Sequence, residues 1–125
     1  MNVRVVDASA LGAIVFGEPK AEEVAAVLSG SMLAGPTLLP FEMASICLMK
    51  IKIHPGQKEK IIEAFEALGK LAVEYIEVEH TQVIELAEET GLTTYDATYL
   101  WLARETGGKL VTLDAKLLKA AKKKR

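Results

Sequence analysis

Metal chemistry that depends on nitrogen or sulfur donors has little to work with in this chain. It contains two histidines, His54 and His80, and one cysteine, Cys47. A zinc site draws its ligands mainly from those residue types, and neither histidine lies near an acidic motif in the sequence. A lone cysteine also excludes an internal disulfide, so the cytoplasm is the default location. Long hydrophobic runs are missing too. No uncharged stretch approaches the roughly 20 apolar residues of a membrane span. Arg4 and Asp7 interrupt the N-terminal apolar run, so no leader is expected. Arginines are scarce, with only Arg4, Arg104 and Arg125. Contact with a polyanion would therefore rest on lysines, which lack the bidentate fork. Internal repeats, linkers and low-complexity tracts are absent apart from a lysine-rich end.

What is present suits one globular domain, residues 1–125, with half of its residues hydrophobic and 26% charged. The net charge of −2 does not advertise nucleic-acid binding. Its distribution is uneven, however. Lys116, Lys119, Lys122, Lys123, Lys124 and Arg125 crowd the C-terminus. Such a tail either contacts phosphates or is a solvated helix end whose cations oppose the negative end of the dipole; the second is commoner.

The pattern alternates between strand and helix. Asn2–Asp7, Met32–Ala34, Val73–Val78 and Lys109–Thr112 read as strands. Between them, periodic apolar stripes predict helices over Ser9–Phe16, Lys20–Leu28, Leu39 or Pro40 to Lys50, Gln57–Leu71 and Thr81–Thr90. A further helix runs from Thr93 to Glu105 or Thr106, and a last one begins at Asp114 or Ala115. In the fourth helix Ile61, Ile62, Phe65 and Leu68 are expected to face inward. Strands separated by helices imply right-handed crossovers. The expected fold is a three-layer α/β/α domain around a central parallel sheet of about four to five strands.

Four acids stand out by position. Asp7 ends Val3-Arg4-Val5-Val6-Asp7, Glu42 follows Leu38-Leu39-Pro40-Phe41, Asp96 opens a helical stretch in Thr93-Thr94-Tyr95-Asp96-Ala97, and Asp114 ends Leu110-Val111-Thr112-Leu113-Asp114. Read as strand-to-helix junctions, they would share the sheet edge where parallel α/β folds bind ligands. Each has a plain structural explanation, since acids cap helices and meet the positive end of the dipole. Thr93 with Asp96 resembles a capping box. Together they weigh differently, because clustered carboxylates resist ionisation unless a cation compensates them. An all-oxygen set suits Mg²⁺ or Mn²⁺. Such an ion serves phosphate chemistry by neutralising charge and activating water. Ser9 and Thr112, beside two of the acids, either orient a carboxylate or a coordinated water, or serve as cap and strand packing. Cys47 is read as packing in the third helix.

The ordered segments Val5-Val6-Asp7-Ala8-Ser9-Ala10-Leu11, Glu42-Met43-Ala44, Thr94-Tyr95-Asp96-Ala97-Thr98-Tyr99-Leu100 and Leu110-Val111-Thr112-Leu113-Asp114 resemble a PIN domain. More narrowly, they resemble the VapC-type ribonuclease toxins of toxin–antitoxin pairs. The resemblance spans essentially the whole chain. It implies a Mg²⁺- or Mn²⁺-dependent endoribonuclease with Asp7, Glu42, Asp96 and Asp114 on the family's acidic positions and Ser9 and Thr112 on its supporting hydroxyl positions. It also implies a homodimer, an RNA substrate and a cognate VapB-type antitoxin that lays a helix in an apolar groove. Two alternatives stay open: a PIN-like RNA-processing nuclease without a toxin role, and a non-catalytic interaction module whose acids merely cap helices. An aspartyl-nucleophile phosphatase is disfavoured, because Ser9 stands where such sites want a second acid. Apolar residues at Leu11, Ile14, Val15, Phe16, Ile61, Ile62, Phe65 and Trp101 are mostly core, with some expected at a dimer seam or antitoxin groove.

Overall fold

The computed structural model describes residues 2–123; Lys124 and Arg125 of the basic tail lie outside them. Among these residues four strands form one sheet: β1 (Val3–Val6), β2 (Met32–Pro36), β3 (Val73–Ile76) and β4 (Lys109–Val111). Their order is β3-β2-β1-β4, and every neighbouring pair is parallel. Parallel neighbours need crossover connections. The described residues supply them with seven α-helices: α1 (Ala8–Val15), α2 (Ala21–Leu28), α3 (Leu39–Ile53), α4 (Lys58–Glu66), α5 (His80–Thr90), α6 (Thr94–Thr106) and α7 (Ala115–Lys122).

Chain order and handedness decide which face each helix covers. From β1 to β3 the chain steps in one direction across the sheet; the return to β4 steps in the other. Right-handed crossovers therefore put α1–α4 on one face and α5 and α6 on the other. The packing agrees. α1 packs on α2 and α3, and α3 on α4. α6 lies across β1, β2 and β4 and packs on α5 and α7. This is the expected three-layer α/β/α arrangement, with four strands. The reversal of direction between β1 and β4 is the switch point at which such sheets open a crevice.

The core follows from the layers. Val5 and Val6 are consecutive and both fully buried, as a central parallel strand covered on two faces requires. Leu11, Leu39 and Met43 fill one side, and Tyr99, Leu100, Leu102 and Leu117 the other. Where β2 turns into α3, backbone and side chain approach closely. A Cβ added to Gly35 would lie 2.6 Å from Leu39 Cδ2, and Leu39 is itself fully buried. Gly91 (φ +74°) and Gly107 (φ +69°) end α5 and α6 in the left-handed conformation.

Two expectations need correction. The fourth helix is not continuous to Leu71: its α-helical part stops at Glu66, and a 3₁₀ turn, Ala67–Lys70, follows. Gly69 in that run weakens the α form, and the last turn tightens. Ile62 does not face inward; it is 37% exposed while Ile61 is buried, since neighbours on a helix point about 100° apart. The apolar residues of α1 and Trp101 are mostly core, as expected. Ile14, Val15, Phe16 and Trp101 pack against the core, and the Trp101 Nε1–H donates to Gln82 Oε1 at 2.9 Å. α3 carries four exposed apolar side chains, Phe41, Leu48, Met49 and Ile53. That helix is apolar nearly all round, so its periodicity marks no inner face. Cys47 is buried, as packing requires. Among the described residues no helix is long and apolar enough to cross a membrane.

Candidate active site

Helices that connect parallel strands start at the C-terminal edge of the sheet, and all four acids sit at such starts. Asp7 is the N-cap of α1, and Asp114 the N-cap of α7. Glu42 lies in the first turn of α3, and Asp96 in the first turn of α6. For Asp96 the junction differs from expectation. Helix α5, not a strand, precedes it, separated by Gly91-Leu92-Thr93. Because α6 leads into β4, its N-terminus still opens at the same edge.

Asp7 is the most constrained acid, only 5% exposed. Its Oδ1 accepts from the Ser9 hydroxyl at 2.7 Å and from the Ala10 N–H at 3.0 Å. Its Oδ2 accepts from the Thr112 hydroxyl at 2.5 Å. Each hydroxyl is anchored in turn: Ser9 Oγ accepts the Leu113 N–H at 2.9 Å, and Thr112 Oγ1 accepts the Asp114 N–H at 3.0 Å. The two hydroxyls approach each other at 3.3 Å, with both protons already committed to Asp7. Ser9 and Thr112 thus orient a carboxylate, and they tie the end of β1 to the end of β4. The Asp7 N–H, donating to Val111 C=O at 3.2 Å, extends the same seam. Burial nevertheless holds the Asp7 carboxyl above its ordinary range. The Thr112, Ala10 and Ser9 hydrogen bonds oppose that rise, and the Asp114 charge adds to it.

Glu42 is half-buried, and its Oε1 accepts from the Tyr99 hydroxyl at 2.5 Å. Burial raises the Glu42 carboxyl, the Tyr99 hydrogen bond lowers it, and the charges of Asp96 and Asp7 raise it again. The Tyr99 phenol is pushed far upward by its own burial and by Glu42, so it remains a donor. Sequence reading did not single out Tyr99. The signal was available: Tyr99 follows Asp96 by three residues, which puts both on one face of α6. Asp96 is raised first by burial, then by Asp114 and Asp7, against the Lys116 ammonium and the Thr93 hydroxyl. Its carboxylate is not the cap of α6. The cap is Thr93, whose hydroxyl accepts the Asp96 N–H at 3.1 Å. Lys116, grouped by sequence with the basic tail, stands at the site; its Nζ donates to Gly91 C=O at 3.0 Å. Asp114 is exposed, and its Oδ1 accepts the Leu117 N–H at 2.8 Å.

Charge coupling links Asp7 with Asp114, Glu42 and Asp96, and Asp96 with Asp114 and Glu42, yet among the described residues none of the four is neutralised by an ion pair. The salt bridge found among the described residues, Lys50 to Glu18 at 2.6 Å, involves none of them. Lone-pair accounting decides whether a cation fits. An ionised carboxylate offers about four acceptor positions. Asp7 uses three, which leaves roughly one, on Oδ2. Glu42 and Asp114 each keep an oxygen without a protein donor. The donor set is all oxygen, hard and anionic, and it fits Mg²⁺ or Mn²⁺. The spacing is open: among the described residues no three Asp, Glu, His or Cys side chains close into a ready cage. Mg²⁺ suits such a frame because it keeps several of its waters.

A second feature adjoins the acids without containing them. A cleft of about 310 Å³ runs beside the first turn of α6, lined by Leu38, Val83, Ile84, Thr94 and Tyr95 among others. His80, remote from the acidic motifs in sequence, also lines it.

Known proteins share this frame. The PIN domain family matches residues 4–123. A protein named Ribonuclease VapC3, from Pyrobaculum aerophilum, is 35% identical over 121 residues, covering 90% of each chain. The crystal structure of PAE2754 from Pyrobaculum aerophilum superposes with a TM-score of 0.79 at 26% identity, covering 97% of this chain and 81% of that one. The Mycobacterium tuberculosis toxin VapC20, described as cleaving the sarcin-ricin loop, superposes with a TM-score of 0.68 at 14% identity over 94% of each chain. The last likeness speaks for the fold alone. A match over nearly the whole chain, on a fold whose helix starts gather these acids, makes this protein a member of the PIN domain family, akin to the VapC ribonucleases.

Proposed function

We infer that this chain is a divalent-cation-dependent endoribonuclease and the toxin of a type II toxin–antitoxin pair. The observation that carries the reading is the set Asp7, Glu42, Asp96 and Asp114: carboxylates at one sheet edge, electrostatically linked through Asp7 and Asp96, with no ion-pair partner among the described residues. Ribonuclease VapC3, at 35% identity, supports RNA as the substrate.

In this reading the four acids hold Mg²⁺ or Mn²⁺, directly or through water. The cation, when bound, supplies phosphate charge neutralisation and a lowered pKa for water. The chain's own groups do the rest. Ser9 and Thr112 lock both oxygens of Asp7 in place. Tyr99 fixes Glu42 from across the site. Lys116 brings a positive charge beside Asp96, suited to a phosphate of the RNA. Asp96→Asn keeps the shape of the side chain and removes its charge. It is expected to abolish Mn²⁺-dependent RNA cleavage while thermal unfolding stays cooperative. Full cleavage by that variant would overturn the assignment.

Two partners belong to the same reading, a second copy of the chain and a cognate antitoxin, acting in the cytoplasm. Support for a docking face is the apolar strip Phe41, Leu48, Met49 and Ile53 on α3, with Phe41 74% exposed. Light scattering that finds a monomer at every concentration would remove the dimer.

A further inference from the structure

We propose that the cleft beside the acids receives one unstacked base of the RNA, next to the phosphate being cleaved. This rests on the ribonuclease reading and adds to it the element that selects sequence.

Position comes first. Tyr95, on the cleft wall, immediately precedes Asp96. Leu38, on the opposite wall, accepts the Glu42 N–H on its carbonyl at 3.2 Å. The helix turns that present two of the acids therefore also form two walls of the cleft. A strand with its phosphate at the acids has its neighbouring base at this opening. Size agrees, because about 310 Å³ is at the low end of small-ligand pockets.

Chemistry separates a base from the other candidates. Among the described residues the lining carries no Asp, Glu, Lys or Arg, so it suits a neutral ring and not a phosphate. Val83 and Ile84 give an apolar wall, and Tyr95, 60% exposed, gives an aromatic face for stacking. Around the apolar wall stand Thr37, His80 and Thr94, all exposed. Their hydroxyl, imidazole and hydroxyl groups offer the mixed donors and acceptors that a base edge uses. An apolar side chain from a protein partner would leave them idle. The Thr98 hydroxyl is already committed, donating to Thr94 C=O at 2.7 Å.

The test reads binding rather than cleavage, so it survives failure of the nuclease reading. Fluorescence anisotropy in Ca²⁺ compares short single-stranded oligoribonucleotides of U, A, C or G with an abasic oligoribonucleotide. Wild type is expected to bind at least one base-bearing RNA roughly 5- to 150-fold tighter than the abasic one, the range for one stacked base. Tyr95→Ala and the cleft-filling Ile84→Trp should erase most of that preference, and Tyr95→Phe should keep it. Both altered residues are more than half exposed, so melting curves should match wild type. Equal affinity of wild type for base-bearing and abasic RNA overturns the proposal. So does an unchanged preference in Tyr95→Ala and Ile84→Trp, which would leave the cleft to a protein side chain. Base-dependent binding without any cleavage supports the subsite while removing the nuclease assignment.

Discussion

Replacing Thr112 by valine keeps the β-branched shape and deletes one hydroxyl. That hydroxyl donates to Asp7 Oδ2 at 2.5 Å and accepts the Asp114 N–H at 3.0 Å. A hydrogen bond to an ionised group contributes about 1.5–3 kcal/mol, and a neutral one about 1 kcal/mol. The loss should therefore depend on pH. Counting the Asp114 N–H bond as well, Thr112→Val is expected to cost ~2.5–4 kcal/mol where Asp7 is ionised and ~2 kcal/mol where Asp7 is protonated. The difference follows from the sign of the interaction, since the bond favours the ionised form and its removal raises the Asp7 pKa further. A difference of roughly 0.5–2 kcal/mol corresponds to an added rise of about 0.4–1.5 pKa units. Urea denaturation in chelator at neutral and acidic pH measures the two costs. The acidic limb of the cleavage profile should move upward by the same amount. Thr112→Ser restores both hydrogen bonds and should behave like wild type. An equal loss at both pH values, or an unmoved acidic limb, would refute the clamp.

Without cation, acidification should stabilise the fold before it destabilises it. Asp7, Glu42 and Asp96 are all raised in the folded state, first by burial. Their contribution is full below the ordinary carboxylate range and is lost as pH rises through the folded values. The urea midpoint in chelator should therefore rise on going from about pH 7 to about pH 5, and saturating Mn²⁺ should flatten that slope; a steady fall on acidification would contradict it. Tyr99→Phe removes the donor to Glu42; it should cost ~1.5 kcal/mol and shift the acidic limb of cleavage upward, and an unchanged pH profile would deny Tyr99 a positioning role. Gly35→Ala meets Leu39 Cδ2 at 2.6 Å inside a filled core, so a loss of about 1–3 kcal/mol is expected. Equal urea midpoints for that pair would show that Leu39 moves freely.

The layers and the acids were legible in the sequence for different reasons. β1 and β4 are apolar runs bounded by Asp7 and by Gly107-Gly108, and buried strands of a parallel sheet look like that. Periodicity worked in part at α5, where the apolar stripe Val83, Ile84, Leu86 and Ala87 puts three residues inside while Ile84 is 59% exposed. It failed at α3, where apolar residues surround the helix and only the fold shows Met43 buried and Phe41 exposed. At the site, the acids and the hydroxyls Ser9 and Thr112 were legible along the chain, but not how they pair in space. The Ser9 proton reaches Asp7 from two residues away, whereas the Thr112 proton comes from across more than a hundred residues of chain, a pairing created by strand order. Lys116 and His80 were hidden for the same reason, since one reads as tail and the other as loop until α6 packs between them.

Capping and cation binding, opposed while only spacing was available, are compatible once oxygens are counted. A cap takes one acceptor position of a carboxylate that has about four. Asp7 caps α1 through Oδ1 and keeps a position on Oδ2; Asp114 caps α7 through Oδ1 and keeps Oδ2. At α6 the task is divided, because Thr93 caps the helix by accepting the Asp96 N–H and the Asp96 carboxylate is not itself the cap. At α3 no side chain caps the start at all, and Glu42 is held from outside by Tyr99. If capping were the whole reason for these acids, α3 and α6 would need none in their first turns, and uncharged Asn or Ser would serve α1 and α7 as well. Caps place Asp7 and Asp114, and Tyr99 holds Glu42; the oxygens left over, with no ion pair among the described residues to quiet them, are what a divalent cation would hold.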